Sequence, residues 1–190
     1  MLLFRAQVPE RWLAMVEANL PAVLVDHAHL ERKAATSALN LEKYRDLWSR
    51  VEELNAIAIE ELGHFQLVLR LLRQRGIPFT HSYPSPWISG LMRAVRGNQR
   101  GAVIDHLVCA AFIEGRSCEK FQLLGRVLEA RDPELAAFYA SLVESEGNHY
   151  ATYLLMAKAI DEPETARRMD FFLDLDAQLI VQSHDYPVLH

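Results

Sequence analysis

A chain of 190 residues, 51% hydrophobic and 24% charged, is long enough for one domain, 1–190, with a sizeable core. Its net charge of −5 argues against a surface that coats nucleic acid generally, and its apolar runs, such as 107–113 (LVCAAFI), fall far below the roughly 20 residues that span a bilayer. The opening MLLFRAQVPERW has too short an apolar run before Arg5 and Glu10 to act as a signal peptide, so the expectation is a cytoplasmic protein with no membrane segment.

Helical period dominates, and no strand alternation competes with it. Pro9 fits the first turn of a short lead helix, and Asn19 with Pro21 caps and starts a longer one running to about residue 40. A second long helix runs from about 47 to 75 and stops at Gly76, with Pro78 behind it. Residues 76–101 hold Pro78, Pro84, Pro86, Gly90, Gly97 and Gly101, the composition of a long connection, with a short helix over 86–96. A third long helix follows to about 130, and Asp132 with Pro133 opens a fourth that ends near 160. Pro163 opens a fifth, amphipathic through Met169, Phe172, Leu173, Asp176, Leu179 and Ile180, and the tail SHDYPVLH is irregular. Two long helical hairpins joined by a crossover of roughly 25 residues have the plan of an all-α, ferritin-like four-helix bundle, with short helices added at both ends.

Cys109 and Cys118 lie on one predicted helix, about 13 Å apart by rise and on opposite faces, so they cannot pair. With no CxxC in the chain, thiolate metal sites and thioredoxin-like chemistry have no support, and both cysteines read as small buried residues. Charge is unevenly spread. Residues 62–104 contain no Asp or Glu but include Arg70, Arg73, Arg75, Arg93, Arg96 and Arg100, so that segment is +6 and the remainder −11. Such a segment is either an electrostatic footprint for a polyanion or a solvated basic loop.

The chemistry-bearing pattern is Glu61-x-x-His64, which recurs as Glu146-x-x-His149. Each is preceded by a glutamate on the helix before it, Glu31 at 30 residues and Glu114 at 32. In an antiparallel pair, residues at equal height are equidistant from the turn, which puts the turns near 46 and 130; EARDPE is a clear turn signal and EKYRDLW a poorer one. A spacing of three turns an α-helix by about 300° and raises it about 4.5 Å, so carboxylate and imidazole share a face. Surface salt bridges would be the ordinary use of these glutamates. Their neighbours at helical spacing are instead core-type or small: Leu24, Ala28 and Ala35 around Glu31; Leu107, Ala110, Ala111, Cys118 and Phe121 around Glu114; Tyr139, Leu142, Tyr150 and Tyr153 around Glu146. Four buried carboxylates without cations would each cost several kcal/mol, whereas two divalent ions balance their charge. Four carboxylates with two imidazoles suit iron or manganese better than zinc or calcium.

Gly63, Gly115 and Gly147 adjoin these residues and fit either close helix approach or a π-bulge with an open coordination position. Glu60 and Ser145 are candidate acceptors for the histidines, and His27, one turn before Glu31, is a candidate pocket residue. His29 lies about 200° around the helix from Glu31 and reads as exposed. Trp12, Trp48 and Trp87 read as packing residues.

With HLERKAA, ELGHF and FIEGRSCEKF surrounding this pattern, nearly the whole chain resembles the MiaE family of tRNA hydroxylases, ferritin-like non-haem di-iron monooxygenases. The resemblance implies hydroxylation of the isopentenyl group of a 2-methylthio-isopentenyl-adenosine in tRNA, with O₂ as co-substrate and two Fe ions as cofactor. It implies Glu31, Glu61, His64, Glu114, Glu146 and His149 as the metal ligands and catalytic residues. The chain has no flavin fingerprint or iron–sulfur cysteine set, so a ferredoxin-type electron donor is implied as a partner. The other partner would be the tRNA anticodon loop, met by the Arg-rich segment 70–100 with Phe79, Tyr83 or Trp87 stacking on unpaired bases. A ferritin-like ferroxidase or iron-detoxification protein is the alternative, and a manganese peroxidase or catalase stands behind it.

Overall fold

The computed structural model describes residues 4–97, 99–182 and 186–190; the first three residues of the opening segment and 183–185 of the tail lie outside them. Seven α-helices and one 3-10 helix account for the regular structure, with no strand among the described residues. None of these helices is long and apolar enough to cross a membrane. By internal contacts the chain forms two compact units, Pro9–Ser89 with Val181–His190, and Met1–Val8 with Gly90–Ile180.

The first unit is built on a helical hairpin. Helix α1 (Glu10–Ala18) leads into α2 (Leu20–Leu41), and α3 (Val51–Gln74) packs back along α2. Asn19 does not cap α2 with its side chain, because its amide donates to the Met15 carbonyl at 2.9 Å and so closes α1 instead. The hairpin turn falls where equal spacing of Glu31 and Glu61 required it. It is made not by a turn dipeptide but by a 3-10 helix, Arg45–Arg50, with Leu47 N–H bonded to the Tyr44 carbonyl and the Leu47 side chain buried. The second long helix therefore becomes α-helical only at Val51. Trp48 is 62% exposed, with its indole N–H on the Glu42 carbonyl, so it is a turn residue rather than a packing residue; Trp12 and Trp87 are buried. Gly76 ends α3 at φ 65°, with Ile77 N–H on the Leu72 carbonyl, a conformation in which a Cβ would be strained.

After α3 the connection and the described tail residues are tied to α2. His29 Nε2 lies 2.7 Å from the Thr80 carbonyl oxygen and its ring stacks on Phe79, so His29 anchors the connection rather than facing solvent freely. Buried Asp26 accepts from Ser82 Oγ at 2.5 Å and from Leu189 N–H at 2.7 Å, and the Trp12 indole donates to the Leu189 carbonyl. His190 stacks on Trp87.

The short helix of the connection is α4 (Pro86–Arg93), and the second unit follows with α5 (Gln99–Leu128), α6 (Pro133–Ile160) and α7 (Glu162–Ile180). Asp132 caps α6 by accepting from Leu135 N–H, and Asp161 opens α7 by accepting from Glu164 N–H. Helices α5 and α6 form the second hairpin, and α7 packs on both. Along the apolar stripe of α7, Asp176 is fully buried because its partner is the fully buried Arg116 of α5. Arg116 also donates to the Ala6 carbonyl and lies over the Phe4 ring, which fixes the N-terminal segment against α5. A second ionic cluster has Asp105 at its centre, accepting from Arg96 and from Arg168, while Arg96 reaches Glu164 at 2.5 Å.

Candidate metal centre

Each hairpin brings its own three predicted donors together. On the first, Glu31 of α2 meets Glu61 and His64 of α3: His64 Nδ1 is 3.6 Å from Glu31 Oε2 and 3.7 Å from Glu61 Oε2. On the second, Glu114 of α5 meets Glu146 and His149 of α6, with one donor atom from each within 4.8 Å of the others. All six side chains are buried, none more than 7% exposed. Local sequence explains the placement. A glutamate and a histidine three apart project from one face, and the residues continuing those faces, Leu54, Ile57, Ala58 and Val68 on α3 and Leu142 and Tyr153 on α6, are buried as well.

Burial alone disfavours an ionised carboxylate, but the imidazoles of His27 and His64 hold the Glu31 carboxyl well below its ordinary range. Burial likewise opposes a charged His64, yet the neighbouring Glu31 and Glu61 carboxyls push it up to about 10. Glu31 is thus poised as an anion beside an imidazole that holds a proton, and a divalent cation displacing that proton would neutralise the same charge. Two carboxylates and one imidazole per hairpin are the hard, mixed oxygen–nitrogen set suited to iron or manganese, so the residues fit a metal site of this kind.

Several finer expectations change. The three glycines do not share one role. A Cβ at Gly115 would come within 3.0 Å of Phe4 and Tyr150, so close approach explains that glycine, whereas Gly63 and Gly147 face open space. Helices α3, α5 and α6 run through all three positions without a π-bulge. Ser145 donates its hydroxyl to the Leu142 carbonyl, and Glu60 is exposed. His27 is fully buried with Nε2 2.5 Å from Glu31 Oε1.

The Arg-rich segment also divides. Arg96 and Arg100 are engaged with acids of the second unit, Arg100 pairing with Asp161 at 3.1 Å. Arg70, Arg73 and Arg93 are exposed with no acidic partner among the described residues. Of the aromatics, Trp87 is only 3% exposed, whereas Phe79 and Tyr83 remain accessible. The Asp26, Asp105 and Asp176 clusters escaped the sequence reading. The one available signal was Asp176 itself, a lone acid on an apolar stripe.

Comparison with known proteins follows the same lines. Residues 2–190 match the family described as tRNA-(MS2IO6A)-hydroxylase, MiaE. A Pseudomonas putida protein named tRNA 2-(methylsulfanyl)-N(6)-isopentenyladenosine(37) hydroxylase is 38% identical over 93% of this chain and 85% of its own length. A Salmonella typhimurium protein of the same name is 30% identical over 91% of this chain and 82% of its own length. A solved Synechococcus protein with aldehyde deformylating oxygenase activity has a TM-score of 0.89 and 26% identity, covering 100% of this chain and 96% of that one. The fold is ferritin-like and all-α.

Proposed function

The chain belongs to the MiaE family of tRNA hydroxylases, and from that premise we propose that it is an oxidoreductase hydroxylating the isopentenyl group of 2-methylthio-isopentenyl-adenosine in tRNA. The observation that carries the reading is the pair of buried triads, Glu31, Glu61, His64 and Glu114, Glu146, His149, in a chain matched almost end to end by the family. In this reading 1–190 acts as one domain, and the two triads together offer four carboxylates and two imidazoles to two irons.

When bound, the irons would supply reductive activation of O₂ and the oxidant that takes a hydrogen from an allylic methyl and returns a hydroxyl. The residues of the chain do the remaining work. Four carboxylates balance the +4 of two ferrous ions, and two neutral imidazoles complete the donors without adding charge. Glu31 is flanked by buried Leu24, Ala28 and Ala35, and Glu114 by buried Ala110, Ala111 and Cys118, surroundings that keep water from the donor atoms. One oxygen atom enters the product and the other leaves as water, at the expense of two electrons and two protons. The electrons come from outside, since the only two cysteines are buried and free; a ferredoxin-type donor fits that need.

Exposed Arg70, Arg73 and Arg93 supply phosphate contacts to the anticodon loop, and Phe79 and Tyr83 supply surfaces on which unpaired bases stack. A cytoplasmic location fits such work.

The test is mass spectrometry of nucleosides from tRNA of a host lacking the hydroxylated base, with and without the expressed protein. Gain of one oxygen on the isopentenyl-adenosine is expected with the wild-type chain and not with Glu114→Ala. No gain in a strain where the protein carries reducible iron would overturn the tRNA assignment in favour of iron oxidation without an organic substrate.

A further inference from the structure

The two triads repeat the same three residue types, but the residue one turn before the leading glutamate differs. Before Glu31 stands His27; before Glu114 stands Ala110. Spacing of four puts His27 and Glu31 on one face of α2, and with both buried the imidazole Nε2 lies 2.5 Å from Glu31 Oε1. The other oxygen, Oε2, is the one nearer His64 Nδ1, at 3.6 Å. The two oxygens of Glu31 therefore have different duties. Oε1 is held by a neighbour on the same helix, and Oε2 faces the other donors of the triad. Ala110 has no polar atom with which to hold Glu114 in the same way.

The segment bearing His27 is itself fixed. Its neighbour Asp26 accepts hydrogen bonds from Ser82 of the connection and Leu189 of the tail, and Ala28 is fully buried. Rotation of α2 about its axis, which would turn His27 and Glu31 together away from His64, would break both bonds. A carboxylate restrained at one oxygen by such a support presents the other to a metal.

We propose that His27 is a positioning residue: by holding Oε1 of Glu31 it leaves Oε2 as the oxygen offered to metal, and so makes the metal position on the Glu31 side inequivalent to that on the Glu114 side. The inference rests on the dinuclear reading of the two triads.

The experiment is anaerobic Fe(II) binding to the full-length apoprotein by equilibrium dialysis, paired with Mössbauer spectra of the ⁵⁷Fe(II)-loaded protein. It compares wild type with His27→Gln, which keeps an N–H donor near the Nε2 position. It also includes His27→Phe and His27→Leu, which fill the space without a donor and are read in parallel so that the result does not hang on one variant's folding. Wild type is expected to take up two ions with two distinct ferrous doublets. The Phe and Leu variants should bind one ion as wild type does and the other about tenfold more weakly, with one doublet altered and one unchanged. The Gln variant should stay within about threefold of wild type and keep both doublets. Unchanged affinities and doublets in Phe or Leu would overturn the proposal. So would a Gln variant that behaves like Phe, which would make His27 a ligand or a packing group. Those results leave two irons bound to the wild type; a wild-type chain that binds no iron would instead remove the dinuclear reading, and this proposal with it.

Discussion

Both hairpins carry a glutamate on the leading helix and Glu-x-x-His on the returning one, yet the leading helices are held by different chemistry. Around Glu31 the supports are hydrogen bonds: His27 to the carboxylate, Asp26 to Ser82 and to the Leu189 amide. Around Glu114 they are ion pairs: Arg116 to Asp176 of α7, and, lower on α5, Asp105 to Arg96 and Arg168. The same donor pattern can therefore be mounted in two ways. The first hairpin, beside the connection and the tail, uses a buried acid that accepts from their backbone and hydroxyl groups. A hairpin with a further helix packed on it can bury whole charge pairs.

The comparison is broken most severely at Arg116. Arg116→Met leaves Asp176 buried without its guanidinium, and equilibrium unfolding should show a loss of about 3–5 kcal/mol; adding Asp176→Leu should recover most of it, because desolvation largely offsets the attraction of a buried pair. The hydrogen-bonded side should be more forgiving. Asp26→Ala strands the Leu189 amide and is expected to cost about 1–3 kcal/mol in the same measurement, with earlier proteolysis of the tail.

A charge comparison sharpens the picture further. Reversing exposed Arg70 and Arg73 of the first unit to Glu should lower tRNA affinity and flatten its salt dependence by about one in log–log slope per arginine, whereas Arg100→Ala, already paired with Asp161, should change it little. Equal effects from all three would erase the distinction between free and engaged arginines.

The smallest effect is on pH. Burial raises the Asp26 carboxyl above its ordinary 3.8, with the Ser82 and Leu189 bonds opposing the rise. The folded chain thus holds this proton more tightly than the unfolded one. Its contribution to stability is fullest below the unfolded value and is lost as pH climbs through the folded one. The gap between Asp26→Asn and wild-type urea midpoints, measured on metal-free protein, should accordingly shift between the acid range and neutrality; a gap independent of pH would place the Asp26 proton equally in both states.

The burial and clustering of the six proposed donors were legible because each triad is written in local periodicity. Three residues turn a helix onto the same face, and apolar neighbours such as Leu142 and Ala35 mark which face is inward. The hairpin turn near 46 was legible from the even spacing of Glu31 and Glu61 although its residues carry weak turn signals, since a 3-10 helix needs no glycine or proline. Asn19 misled because a side-chain amide at a helix junction can serve either helix, and here it bonds back to Met15. Trp48 misled because indole is as well suited to a half-wet turn as to a core.

Helix order, the two hairpins and the inward face of the donors follow from the chain itself, through spacing of 3.6 residues and the positions of proline and glycine. The duties of the single charges were decided only in three dimensions. Arg116 and Asp176 lie 60 residues apart. Nothing periodic links them, and an arginine destined for a buried pair is written like one destined for solvent. The same holds for Arg96 against Arg70, and for His27 against His29: a charged or polar side chain takes its role from partners that folding brings to it, whereas an apolar face declares its role in its own spacing.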